Sequence, residues 1–274
     1  LICKLLGYTR QAYYKHLVLA EKREERDAKV VESVKEIRQI LPFTGGRKLK
    51  QMIEKGKAKY TVRIGRDALY ELLHRYKLII KKRKKSHPTT NSKHSHQVYP
   101  NLIKNCRVDT VNRVWVSDIT YIKTLEGYCY LSLVTDLFSR KILGYKLAGS
   151  LEAKHTLAAF YDAYAAANQP QGLIHHSDKG VQYCCHKYIE TLNKAGISIS
   201  MTGPDHCFDN AVAERVNGIL KTELGLGNTL PDIKTARALV KEAVSIYNGI
   251  RLHAALNYKT PDEMYYQGTL VNAS

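Results

Sequence analysis

Three carboxylates stand where the surrounding sequence makes a carboxylate expensive. Asp118 ends Val-Trp-Val-Ser-Asp and leads into Ile-Thr-Tyr-Ile, an apolar, β-branched run that predicts a buried strand. Asp178 ends Gly-Leu-Ile-His-His-Ser-Asp, a second short strand running into a glycine turn. Glu214 lies in Asp-Asn-Ala-Val-Ala-Glu-Arg-Val-Asn-Gly-Ile-Leu-Lys, which has a helical pattern. A buried, unpaired carboxylate costs several kcal/mol, so such groups are paired or bind metal. Three acids converging on one point suit hard divalent cations such as Mg²⁺, which take oxygen ligands and keep waters for chemistry. Taken singly, each acid also reads as a salt-bridge partner or a helix cap.

Spacing and context narrow the reading. Thirty-five residues separate Asp178 from Glu214, and the three acids match the DD(35)E signature of retroviral-integrase-like transposases. The words Val116-Ser-Asp-Ile-Thr-Tyr-Ile122, Thr135-Asp-Leu-Phe-Ser-Arg-Lys-Ile-Leu-Gly-Tyr145, His176-Ser-Asp-Lys-Gly-Val-Gln-Tyr183 and Asp209-Asn-Ala-Val-Ala-Glu-Arg-Val-Asn-Gly218 resemble the OrfB-type transposases of the bacterial insertion-sequence-3 family. The resemblance covers nearly the whole chain and is strongest in these words. It implies a catalytic and metal-binding triad of Asp118, Asp178 and Glu214 holding two Mg²⁺ ions, with Asp118 shared and Mn²⁺ able to substitute. It implies cleavage of a DNA strand by water at each element end, then attack by the freed 3′-hydroxyl in strand transfer. The implied partners are double-stranded DNA, both terminal inverted repeats and target, and further copies of the chain assembled on it. Lys221, seven residues after Glu214 and on the same helical face, is implied as a DNA contact; the plainer alternative is that it balances the charge of Glu214. Asn217 is read as a DNA contact or as orienting Glu214. Asn210 and His176 are read as supports for Glu214 and Asp178. Asp136, on the strand beside Asp118, is read as structural, Asp209 as a helix cap, and Trp115 as core.

The elements that must position the acids follow from periodicity. Strands are predicted at 114–123, 127–138 and 141–148, then a helix at 152–168, a strand at 172–176, a helix at 181–194, a strand at 197–201, and helices at 210–224 and 233–249. Three antiparallel strands followed by helix–strand–helix–strand–helix is the order of an α/β, ribonuclease-H-like core: a mixed five-stranded sheet flanked by helices. In such a sheet Asp118 on the first strand and Asp178 at the end of the fourth can lie side by side.

Charge divides the chain. The net charge is +18, of which residues 1–110 hold +17 and residues 111–274 hold +1. A basic half joined to a near-neutral half assigns one part to gripping a polyanion; the plainer alternative is a solubilising face. Within the basic half, Thr9 is placed to cap a helix carrying Arg10 and Gln11, after an apolar stub ending at Gly7. Val30, Val31, Val34, Ile37 and Leu41 recur at helical spacing, a core stripe. A further helix opens at Arg47 and Lys48. Another is predicted over 61–78, with Leu69, Leu72 and Leu73 inward and Arg63, Arg66 and Lys77 outward. This small all-α region resembles the helix-turn-helix units that precede the core in the same family. Lys81, Lys82 and Arg83 begin a polar basic linker able to track a phosphate backbone; its His87, His94 and His96 are read as part of a tether. The expected domains are a helix-turn-helix-type DNA-binding region at 1–80, the linker at 81–104, the integrase-type core at 105–265 and a tail at 266–274.

The six cysteines form no C-x-x-C pair, so neither a zinc nor a secreted disulfide framework is indicated. No apolar run approaches a membrane span and no signal peptide is visible, so the expected location is the bacterial cytoplasm, at the nucleoid. The chain opens at Leu1 within what reads as a motif, which suggests the downstream part of a longer product. Two rival readings stay open: a structure-selective nuclease of the same fold, and a DNA-binding protein with an inactive core.

Overall fold

From Arg10 to Ile40 the chain contains neither glycine nor proline and is rich in Ala, Glu, Lys and Arg. Nothing interrupts the backbone ladder, and the whole stretch forms one 31-residue helix, α1 (Arg10–Ile40). The computed structural model describes residues 7–80, 97–104, 106–203 and 210–272. Its contacts divide into two compact units, one within residues 1–82 and one within 83–274. The apolar stub before Gly7, the cations Lys81, Lys82 and Arg83, the three linker histidines and Asp209 lie outside the described residues.

In the first unit the Thr9 hydroxyl accepts the Ala12 N–H at 3.1 Å, capping α1 as its residue type predicts. The Val30–Ile37 stripe is buried with Leu49, Met52 and Ile53 of α2 (Gly46–Glu54) and Leu69, Leu72 and Leu73 of α3 (Arg66–Arg75). The helix predicted from residue 61 begins only at Arg66. Thr61, Val62 and Ile64 are β-branched, and Gly65 takes an extended cap conformation before the helix turns. Arg63 therefore precedes α3 and is not on it.

The second unit is built on a five-stranded sheet of order β3-β2-β1-β4-β5. β1 (Val114–Thr124), β2 (Gly127–Asp136) and β3 (Ile142–Ala148) are antiparallel neighbours; β4 (Ile174–Ser177) and β5 (Ser198–Met201) run parallel to β1. Alternation along β2 sends Cys129, Leu131 and Leu133 to one face and Val134 to the other. On the first face they meet Val216 and Leu220 of α7 (Ala211–Thr222) and Val240, Val244 and Tyr247 of α8 (Ile233–Gly249). On the other, Trp115 packs with Phe160 of α4 (Ala153–Ala166), Tyr183 of α5 (Val181–Cys184), and Tyr188 and Leu192 of α6 (His186–Lys194). Trp115 is fully buried, as core. α4 lies so close on β3 that a Cβ at Gly144 would fall 2.1 Å from the Ala159 carbonyl oxygen.

The helix predicted over 181–194 is broken. Cys185 is extended (φ −70°, ψ 144°) and separates α5 from α6, so the two adjacent cysteines do not share a helix. α9 (Pro261–Asn272) runs across the boundary expected at 265. At the linker's described end, Pro100 accepts the Met201 N–H and Leu102 donates to the Ser200 hydroxyl, so this segment lies along β5. Among the described residues no helix is long and apolar enough to cross a membrane.

Candidate active site

β1 and β4 run parallel with Ser117 opposite Ser177, and the next residue on each chain is an acid. Parallel pairing thus brings Asp178, just past the end of β4, beside Asp118, midway along β1 where its ladder with β4 stops. Asp118 is half-buried. Burial, and then the charge of Asp178, push its pKa up to about 7, against the pull of hydrogen bonds from Asn217 and the Ile119 backbone. Asp178 follows β4 in a tight turn, with its Oδ1 accepting the Gly180 N–H at 2.9 Å.

α7 brings the third acid. Its entry is fixed by Asn210, whose Nδ2 donates to the Ser117 carbonyl at 3.1 Å. Two turns on, Asn217 Nδ2 donates to Asp118 Oδ2 at 2.7 Å. The Oδ1 atoms of both asparagines are buried with no hydrogen-bond partner in the structure. The helix is thus tied to β1 at two points around Asp118. Glu214 sits between them in the first turn, exposed to solvent, and its charge adds to the upward push on Asp118. Among the described residues no three His, Cys, Asp or Glu side chains stand close enough to hold one ion. Asp118 and Asp178 are neighbours, and Glu214 does not close the group. Lys221 extends the row Glu214–Asn217–Lys221 along α7. Half-buried, its ammonium is pulled down in pKa by desolvation and held up by the charge of Asp118. At the far end of the helix Glu223 receives both Nε and Nη2 of Arg251, at 2.9 and 2.7 Å, in a pair nearly withdrawn from water.

Beneath the acids lies a network that the sequence did not announce. Buried His175 receives or donates hydrogen bonds at Nε2 with Ser117 Oγ (2.8 Å) and Tyr188 OH (3.1 Å). Burial lowers its pKa to about 3, so the ring is neutral. It locks β1 to β4 immediately before both acids. His176, expected beside Asp178, uses Nδ1 on Ser200 Oγ at 2.8 Å, linking β4 to β5. Asp136 is structural: it accepts from Ser139 N, Ser139 Oγ and Asn112 N, and burial raises its pKa.

The candidate DNA contacts of the first unit that lie among the described residues differ in exposure. Arg10, Gln11, Arg47 and Arg63 are exposed, and Lys48 is half-buried. Exposed Arg66 pairs with neighbouring Asp67 at 2.7 Å.

Comparison with known proteins bears on the whole chain. Residues 109–207 and residues 195–261 match two family descriptions, each given as Integrase core domain. A 31 kDa protein of the insertion element IS600 of Shigella sonnei is 32 % identical over 274 residues, covering 97 % of this chain and 99 % of that protein. The transposase InsF of insertion sequence IS3A from Escherichia coli K12 is 31 % identical over 193 residues, 70 % of this chain and 67 % of that one. Among solved structures, the simian T-cell lymphotropic virus intasome, in complex with PP2A regulatory subunit B56 gamma, superposes with a TM-score of 0.51 at 20 % identity. That match covers 85 % of this chain and 74 % of the viral one. The second unit has the ribonuclease-H-like integrase-core fold that its element order predicts.

Proposed function

This chain belongs to the insertion-sequence-3 family of DDE transposases, enzymes with an integrase-like catalytic core, and we propose that it binds the ends of a bacterial insertion element, cuts one strand at each end with water, and joins the freed 3′-hydroxyl to target DNA. The observation that carries this reading is that Asp118 and Asp178 each follow directly on the Ser117–Ser177 pair at which the ladder between β1 and β4 stops. Burial and mutual repulsion make two adjacent carboxylates costly, as the raised pKa of Asp118 records. A divalent cation relieves that cost, and carboxylate oxygens are the donors Mg²⁺ takes.

Asp118, Asp178 and Glu214 are the residues proposed to hold two Mg²⁺ ions, with Asp118 shared and Mn²⁺ able to replace them. When bound, the metal supplies activation of the attacking oxygen and charge stabilisation at the leaving oxygen of an in-line displacement. The chain's own residues do the positioning. Asn217 holds the Asp118 carboxylate, the Gly180 N–H holds that of Asp178, and Asn210 sets the start of the helix that carries Glu214. Lys221 offers an ammonium beside the acids for a phosphate of the element end. His176 stiffens the strand that delivers Asp178.

The first unit is proposed as the principal grip on duplex ends, through Arg10, Gln11, Arg47, Lys48, Arg63 and Arg66, with Lys81, Lys82 and Arg83 continuing along the backbone. Within this reading residues 1–80 bind DNA, 81–104 tether, and 105–265 catalyse in the cytoplasm at the nucleoid. Each core offers one triad while two ends must react in concert, so the working form is at least a dimer on paired ends. A strand-transfer assay with purified chain, duplex element ends and Mg²⁺ tests the reading. The wild type converts ends to joined product; Asp118→Asn binds ends and joins none. Retention of more than about a tenth of wild-type joining by Asp118→Asn rejects the assignment.

A further inference from the structure

One partly buried cation of the catalytic unit has a guanidinium nitrogen with no acceptor among the described residues. Arg140 lies in the turn that joins β2 to β3, with φ +65°, and its backbone N–H donates to the Asp136 carbonyl at 2.9 Å. Its Nη1 is shut off from water and meets no acceptor among the described residues, whereas Nε and Nη2 are not so enclosed and are the part of the guanidinium open to a ligand. The one carboxylate whose charge it feels, Asp136, has its oxygens taken up by Ser139 and Asn112. A desolvated guanidinium donor with no acceptor is costly to keep. Arg140 also lines a cleft of about 430 Å³ with Leu137, Phe138, Leu256, Lys259 and Met264. Its other wall is the turn after residues 254–256, where Asn257 and Tyr258 both take positive φ. Lys259 donates one hydrogen bond to Gln267 at 2.7 Å, which leaves the ammonium further donors.

This cleft is not the acid site. Asp136 pairs with Trp115 on β1, whereas Asp118 pairs with Leu133. Three residues of strand, roughly 10 Å, separate the two positions, and the turn carries Arg140 further from the acids. The cleft is also larger than an inorganic phosphate needs and has apolar walls beside its cations. Residues 111–274 carry a net charge of only +1, so this part of the chain must hold a polyanion through discrete sites, not a diffuse field.

We propose that the Arg140–Lys259 cleft is a second DNA-backbone site, seating one phosphodiester of duplex DNA on the two cations with its deoxyribose against Phe138 and Leu256. The proposal rests on the transposase reading above and adds to it a contact remote from Asp118, Asp178 and Glu214.

The test uses the full chain, a fluorescent duplex carrying the element end, and a salt series, with thermal melting in parallel. Arg140→Gln is expected to weaken duplex binding about tenfold at fixed salt. It should flatten the log–log salt dependence by about 0.9, one phosphate contact. It should melt at or above the wild-type temperature, because no internal hydrogen bond of the side chain is lost. A variant that melts lower but binds with unchanged affinity and slope makes Arg140 structural and overturns the proposal. So does inorganic phosphate that raises the melting temperature of the wild type, not of Arg140→Gln, while duplex affinity is equal in both. Should Arg140→Gln not fold, Lys259→Gln decides: a weaker, flatter salt response supports the site, and an unchanged one overturns it. If the wild type itself binds no element ends, the transposase reading fails first; if it binds them and both variants match it, only this inference fails.

Discussion

The two units spend their charge in opposite ways. In the first, Arg10, Arg47 and Arg63 stand in solvent, and ion pairs such as Lys29–Glu25 and Arg66–Asp67 join exposed side chains. Pairs of that kind contribute little to stability and fade with salt. In the second, the charges that matter are withdrawn and held. Arg251 keeps 2 % of its side-chain exposure while gripping Glu223, and Asp118 is half-buried with one oxygen fixed by Asn217. A surface of many exposed cations is redundant, so single losses are small and additive. A site built around two adjoining carboxylates, one of them half-buried, has no spare parts. On the proposed reading, the contrast lets one chain combine a broad, salt-sensitive grip with a point of chemistry that fails all at once.

The sharpest way to break this contrast is at the acids. Asp178→Asn or Glu214→Gln should lower strand transfer by about a thousandfold or more, the scale of several kcal/mol of lost charge stabilisation, while gel-shift binding of ends changes little. Glu214 is the more telling variant, since it stands exposed and apart from the other two acids. Activity of Glu214→Gln within tenfold of wild type would remove it from the triad.

Gly144→Ala tests whether the second unit tolerates any slack. The added methyl meets the Ala159 carbonyl at 2.1 Å and cannot be relieved by a flexible side chain. A loss of about 1–3 kcal/mol in urea unfolding is expected; an unchanged midpoint would mean that α4 and β3 can separate freely.

Asn217→Ala sharpens the comparison further. It removes the 2.7 Å bond to Asp118 Oδ2 and leaves all three acids. Strand transfer should drop about 10–100-fold, with the Mg²⁺ requirement shifted to higher concentration. A drop in rate with no shift along the Mg²⁺ titration would assign Asn217 to DNA instead.

The smallest effect belongs to the other unit. Arg47→Ala should weaken end binding only a few-fold at low salt and reduce the salt slope by about 0.9. A loss as large as that at an acid would mean that the first unit, too, holds a single indispensable contact.

Much of the catalytic unit was legible along the chain. An apolar, β-branched run marked β1 because such side chains suit a buried extended backbone. In the first unit the cap at Thr9 followed from hydrogen bonding within a few residues, whereas the joining of the capped helix and the Val30–Ile37 stripe into one helix from Arg10 to Ile40 was not foreseen. The three acids were visible because carboxylates embedded in apolar words are rare and the interval between two of them is distinctive. Family membership, too, was carried by those words. What the chain could not display is which side chains meet across it. Asn217 finds Asp118 over 99 positions and Arg251 finds Glu223 over 28, pairings set by where α7 lands on the sheet. Nothing along the chain gave His175 a role; burial against Tyr188 and Ser117 made it the neutral lock between β1 and β4. The break at Cys185 and the late start of α3 went against helical periodicity, which carries no information about how tertiary packing ends an element. Arg140 read as one more basic residue in a family word. Its missing acceptor is a property of enclosure, and enclosure exists only once β2, β3 and the turn at 257–259 have folded against one another.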